Sequence, residues 1–456
     1  MSGPQHVSAR QSAGGELDST QRIETKYRRI VTPIPAPEST QAVEALSRLE
    51  PAGLGVTGHV AWDCAEGFQI HDDRGNRWID FTSGIYVANI GHAHPRVIEA
   101  LRHQVEKPLL HAYLFATPIR LRFVKKLIEV TPANLSKVFL LTTGAESIEC
   151  AVKLSRLYGL SIDPTKTVIV ASKGAFHGKT MGAQMLSSNP EPKRWIVNLD
   201  PDIRHMPFPD EDDGVDAFDR HLAGLGIEPR QVAAFVLESY QGIGGPRFYP
   251  TPYVQALRRW ADAHGALVVF DEIQSGFGRT GKLFAYEHYG VDADLVCCGK
   301  GISSCLPLSA VLGRGEILDL PESGSLSSTH TANPLACAAA LATLEVLEED
   351  NLVAESARKG AIFREGLARI QKRHPKRIAR VRGRGLVYAI FFVHPDTGEP
   401  DVATAERVTD RAVQKGLMLF ATHGDLVKMG PPLMIPDDAL REGIETLGDA
   451  VDECLG

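Results

Sequence analysis

Val268-Val269-Phe270-Asp271-Glu272-Ile273-Gln274-Ser275-Gly276-Phe277-Gly278-Arg279-Thr280-Gly281 runs from an apolar strand into an acid and then a glycine-punctuated loop. A second apolar run, Leu295-Val296-Cys297-Cys298, ends in Gly299-Lys300-Gly301. Taken singly, the lysine reads as a solvated turn residue and the acid as a turn cap. Taken together, an acid ending one buried strand and a lysine following the next make a specific pair. Pyridoxal phosphate (PLP) chemistry needs both: an amine to hold the aldehyde as a Schiff base, and a carboxylate to keep the pyridine nitrogen protonated.

Working outward, strand-like runs alternate with helical periods from about residue 96 to 347, the pattern of an α/β domain with a largely parallel sheet. Other strand candidates are Val138–Leu141, Val168–Val170 and Ala234–Leu237, and a long helix is expected around Cys337–Glu349. Near the N-terminus, Asp73-Arg74-Gly75-Asn76 separates two short runs as a hairpin turn. Before it, Thr32-Pro33-Ile34-Pro35-Ala36-Pro37 forces an extended segment. The polar first 25 residues read as a flexible tail. The expected organisation is an N-terminal segment over 26–90, a large cofactor-binding domain over 91–340 and a C-terminal small domain over 341–456.

Bulk properties fit a metabolic enzyme. The chain has 456 residues, 43% hydrophobic and 23% charged, with a net charge of −7. A nucleic-acid partner calls for a basic face, so none is expected. No apolar run approaches the roughly 20 residues that span a bilayer, and the first 18 residues lack a signal-peptide core. Seven scattered cysteines fit reduced thiols and a cytoplasmic location. No metal site is expected, since His92-Ala93-His94 has no third ligand nearby.

Further candidates follow the other strands, where an open α/β sheet places its ligands. After Leu141, Thr142-Thr143-Gly144-Ala145-Glu146 opens a helical period; small residues there let backbone N–H groups hold a phosphate. After Val170, Phe176 stands among glycines in Gly174-Ala175-Phe176-His177-Gly178 and could stack on a flat cofactor. Glu238 is a second acidic strand end.

These segments, in this order and spacing, resemble the class III (omega) aminotransferases of PLP fold type I, from about Arg28 to the C-terminus. Thr329 with Asn333-Pro334-Leu335-Ala336 also carries the likeness. The resemblance implies a mostly parallel seven-stranded sheet sandwiched by helices, plus a smaller α+β domain built from both termini. It implies PLP as cofactor and Lys300 and Asp271 as the catalytic pair. Gly144 and Ala145 would bind phosphate, Phe176 would cover the ring, and Gln274 would contact the ring hydroxyl. His177 and Glu238 would stand beside the cofactor. Thr329 would reach the phosphate of the partner subunit, making a homodimer with shared sites.

The likeness breaks at the substrate switch. In the 4-aminobutyrate and ornithine branches a glutamate follows the Gln-Gly pair and covers a substrate-binding arginine. Here Ile243 and Lys428 stand at those positions. Lysine attracts a carboxylate but lacks the planar fork that grips it. Lys179 follows the His-Gly pair where some relatives carry an arginine. Tyr86, Lys179, Ile243 and Lys428 are therefore the candidate substrate residues. The acids Asp210, Glu211, Asp212, Asp213, Asp216 and Asp219 read as a solvated loop, or as a rim steering a polycationic substrate such as an amino sugar. The expected reaction is ping-pong amino transfer between a primary (omega or amino-sugar) amine and a keto or aldehyde acceptor, with glutamate and 2-oxoglutarate as co-substrates. An epimerase or racemase, an aminomutase or a decarboxylase on the same scaffold is the alternative.

Overall fold

The computed structural model describes residues 22–54, 60–420 and 424–456. The expected tail lies outside the described residues as far as residue 21; Ile23–Glu24 already pairs with Arg29–Ile30 as a short antiparallel ladder.

Seven strands build the central sheet: β1 (Lys137–Leu141), β2 (Val168–Ser172), β3 (Ile203–Met206), β4 (Val232–Glu238), β5 (Leu267–Asp271), β6 (Leu295–Cys298) and β7 (Ser309–Gly313). Their order is β1-β7-β6-β5-β4-β2-β3. All neighbouring pairs are parallel except those of β7, which runs antiparallel to both β6 and β1. β4, β5 and β6 are buried along their whole length, which is why they read as continuous apolar runs rather than alternating ones.

Successive side chains still point to opposite faces, so each strand feeds two cores. Val268 and Phe270 join one cluster, while Leu267 and Val269 join the other. Helix α1 (Gly144–Ile162) covers the second face through Ile148, Ala151 and Leu154. Helix α2 (Thr251–His264) covers the first through Val254, Leu257 and Ala261. α2 stops because Gly265 takes a left-handed φ of 61°, which a Cβ would strain. The expected long helix spans Pro334–Glu349 and is apolar nearly all round, as a helix buried on most sides must be.

Smaller sheets flank this layer. The Asp73–Asn76 turn joins Gln69–His71 to Arg77–Asp80 in antiparallel register, and Leu417–Met418 pairs with Arg77–Asp80 from the far end of the chain. A C-terminal sheet joins Ile378–Arg384, Val387–Phe392 and Leu426–Met429. Its last strand carries Lys428 toward the carboxyl ends of the central strands. Among the described residues no helix is long and apolar enough to cross a membrane.

Candidate active site

β4 and β5 lie in register with Glu238 opposite Asp271, so two buried carboxylates end neighbouring strands. Asp271 Oδ1 accepts from Ile273 N at 3.0 Å, and Oδ2 lies 2.8 Å from His177 Nδ1. Burial alone would pull the His177 pKa down. The hydrogen bond and charge of Asp271, with the charge of Glu238, outweigh it and raise the pKa. The other ring nitrogen, Nε2, is buried with no hydrogen-bond partner. Glu238 accepts from Phe176 N and Gly242 N, both at 2.9 Å, so it ties the loops after β2 and β4 together. Burial pushes its pKa up to about 7, held there against His177 and these two N–H groups.

Lys300 follows β6 with a left-handed φ of 44°, a conformation that costs a non-glycine residue about 1 kcal/mol or more. Burial lowers its pKa, while the charges of Asp271 and Glu238 oppose that shift. An amine with a depressed pKa is the form that attacks an aldehyde.

The N-terminus of α1 closes the opposite end. Thr143 and Glu146 form a capping box, in which Thr143 Oγ1 accepts from Glu146 N at 3.3 Å and the Glu146 carboxylate accepts from Thr143 N at 2.8 Å. Gly144 and Ala145 follow at the first helical positions, where N–H groups lack intrahelical acceptors. Ile273 packs so close that a Cβ on Gly144 would sit 2.8 Å from its side chain. The small residues at this helix entry are thus demanded by packing as well as by any anion.

One cavity of about 420 Å³ collects Gly144, Ala145, Phe176, His177, Glu238, Asp271, Gln274 and Lys300 in its wall. Val87 and the segment Cys305–Leu308 also line it, which sequence reasoning did not single out. Cys305 to Leu308 follows the lysine turn and leads into antiparallel β7, so the reversal of chain direction there is the signal that could have found it. A carboxylate, an amine of depressed pKa, an aromatic side chain and free helix N–H groups meet in one cavity. The unpartnered His177 Nε2 adds a buried polar atom. This donor set fits PLP.

Of the four candidate substrate residues, Lys428 and Tyr86 meet, and neither lines the cavity. Lys428 is buried and donates to Gly242 O and Gln274 Oε1, each at 2.7 Å, with its Nζ 4.6 Å from the centre of the Tyr86 ring. Tyr86 is buried behind that ammonium, outside the cavity wall. Ile243 and Lys179 are exposed. Thr329 lies outside its own chain's cavity wall, its carbonyl 2.9 Å from His111 Nε2. In the acidic loop, Glu211 pairs with Arg382 at 2.7 Å, Asp210 with Arg247 at 3.4 Å and Asp213 with Arg220 at 3.8 Å.

Comparisons with known proteins point the same way as this geometry. The family model described as Aminotransferase class-III matches residues 55–451. A 4-aminobutyrate aminotransferase of Mycobacterium leprae is 36% identical, over 92% of this chain and 97% of its own length. An acetylornithine aminotransferase of Methanopyrus kandleri is 35% identical, over 85% of this chain and 92% of its own. The ornithine aminotransferase of Toxoplasma gondii superposes with a TM-score of 0.82 at 29% identity, covering 91% of this chain and 95% of that one. A further structure of that enzyme carries PLP at its active site in partial occupancy.

Proposed function

The chain belongs to the class III aminotransferases, and on that premise we propose how its residues divide the work of PLP-dependent amino transfer. PLP is the cofactor and movement of an amino group is the reaction; racemase, aminomutase or decarboxylase chemistry is not favoured. When bound, PLP supplies an electron sink beside the carbon that carries the amino group.

Lys300 would hold the cofactor aldehyde through its Nζ, and as a free amine the same Nζ would carry the proton to and from the amine-bearing carbon. Asp271 would face the pyridine nitrogen, and the His177 Nδ1 contact would keep its carboxylate aligned. The N–H groups of Gly144 and Ala145 would bind the phosphate, Phe176 would cover the ring face and Gln274 would donate to the ring oxygen. Glu238 positions the Phe176 and Gly242 loops through their N–H groups. Thr329 serves the partner's cavity in a cytoplasmic homodimer. Residues 26–90 and 341–456 build the small domain around a large domain over 91–340.

The donor is a primary amine at a chain end, with glutamate and 2-oxoglutarate as the co-substrate pair. The observation that carries the reading as PLP-dependent amino transfer is the convergence of Asp271 with its His177 bond, Lys300 and the α1 N-terminus on one cavity. Mixing holoenzyme with a panel of primary amines and no acceptor tests it. A productive donor removes the visible band of the aldehyde form, and 2-oxoglutarate restores it. A band that no amine of the panel removes, or one that 2-oxoglutarate does not restore, would contradict it.

A further inference from the structure

Lys428 is a candidate substrate residue by its place in the sequence, yet its contacts are with the protein. Its Nζ donates to Gly242 O and to Gln274 Oε1 at 2.7 Å each, and the Tyr86 ring covers it at 4.6 Å. The residue is 3% exposed. An ammonium has three donors and no acceptor, so an amide group facing it must present its oxygen. Tyr240 Oη approaches the same oxygen at 3.3 Å. The Lys428 contact therefore selects one of the two orientations of the Gln274 amide, Tyr240 Oη donates to the same oxygen, and the NH2 is left as the other end. Gln274 is itself part of the cavity wall.

The backbone is shaped for this contact. A Cβ on residue 242 would lie 2.7 Å from Gln274 Oε1, so only glycine lets the amide settle there. Gly242 N is meanwhile held by Glu238 Oε2 at 2.9 Å. Glu238, Gly242, Lys428 and Gln274 thus form a continuous chain of hydrogen bonds from the acid beside Asp271 to the amide.

We propose that Lys428 is a positioning residue for the cofactor side of the site: it orients Gln274 so that the amide NH2 donates to the cofactor's ring oxygen, and it is not the receptor for a substrate carboxylate. The inference rests on the reading of Gln274 as a ring-oxygen contact. It also makes Ile243, exposed at the loop tip, consistent with its partner: with the cation turned inward, no acid is needed to cover it. Charged and titratable groups facing Lys428 are Glu238, Lys300, Arg279, Tyr86 and Tyr240. Burial lowers its pKa to about 7, with Lys300 and Arg279 adding to that effect and Glu238 opposing it.

The test is a double-mutant cycle read in the cofactor rather than in turnover. Visible absorbance of the holoenzyme is titrated with pH, and PLP affinity is measured by reconstituting apoenzyme, for wild type, Lys428→Met, Gln274→Ala and the double variant. Lys428→Met is expected to move the spectral midpoint by about threefold or more in proton affinity and to weaken PLP binding severalfold, and to do neither in the Gln274→Ala background. Lys428→Gln keeps a donor for the Gln274 oxygen and is expected to stay closer to wild type; it carries the cycle if the methionine variant does not fold. An unchanged titration and PLP affinity, with a raised KM for 2-oxoglutarate or glutamate alone, would overturn the inference. So would equal spectral effects with and without Gln274. Absence of the visible band in wild type would instead strike at the cofactor reading itself, so the two failures are told apart.

Discussion

His177 Nδ1 and Asp271 Oδ2 lie 2.8 Å apart, both buried, at the ends of paths that start on β2 and β5. The pair joins two strand ends across β4 and fixes a carboxylate in the cavity wall.

The raised pKa of His177 gives this pair a signature in stability. The folded state binds the proton more tightly than the unfolded one, so the added stability is fully present below the unfolded pKa of about 6.5. It is lost as pH rises through the folded-state value. Thermal unfolding of apoenzyme across pH 5.5–9 should show this slope reduced in His177→Gln relative to wild type.

Glu272, one residue beyond Asp271, is buried and accepts from Ser239 Oγ, Ser275 Oγ, Ala285 N and Tyr286 N. It pins the loop after β5 and does not line the cavity. Glu272→Ala removes the carboxylate that four donors share, leaving only Ser275 Oγ a second acceptor at Asp271 O, and should destabilise the protein by about 3 kcal/mol or more in urea unfolding.

Gly144→Ala pushes a methyl group to 2.8 Å from Ile273. Relieving that contact shifts either the α1 N-terminus or the Asp271 loop, at a cost of about 1–3 kcal/mol. PLP affinity, measured by reconstitution, should fall about tenfold or more while far-ultraviolet circular dichroism stays unchanged.

The acidic loop has its own arginines. Glu211, Asp210 and Asp213 pair with Arg382, Arg247 and Arg220, which offsets half of the loop's six acids where they stand, and the rest are screened by salt. Neutralising Asp210, Asp212 and Asp213 together should change kcat/KM for a cationic amine by less than about twofold at physiological salt.

What could be read from the sequence follows physical lines. β4, β5 and β6 announce themselves because a strand covered on both faces is apolar throughout, and Asp271 and Glu238 stand out as acids ending such runs. β3 was hidden by Arg204 and His205, which an edge strand tolerates. β7 was hidden because Ser309-Ala310-Val311-Leu312 suits a buried helix as well as a strand. Gly144, Ala145, Phe176 and Gln274 were legible as motifs, and all four line the cavity. The contact of Lys428 with Gln274 was not, since it joins positions 154 residues apart through the packing of a C-terminal strand onto the Gly242 turn. Spacing along a chain carries no record of such a meeting.

The most direct measurement is chemical trapping at Lys300. Holoenzyme is reduced with borohydride, digested, and its peptides are weighed by mass spectrometry, beside Lys300→Ala treated in the same way. The cofactor should be fixed to the peptide containing Lys300 in wild type, and the variant should lose both the label and the visible band. Label on another lysine, or an unchanged band in Lys300→Ala, would contradict the account.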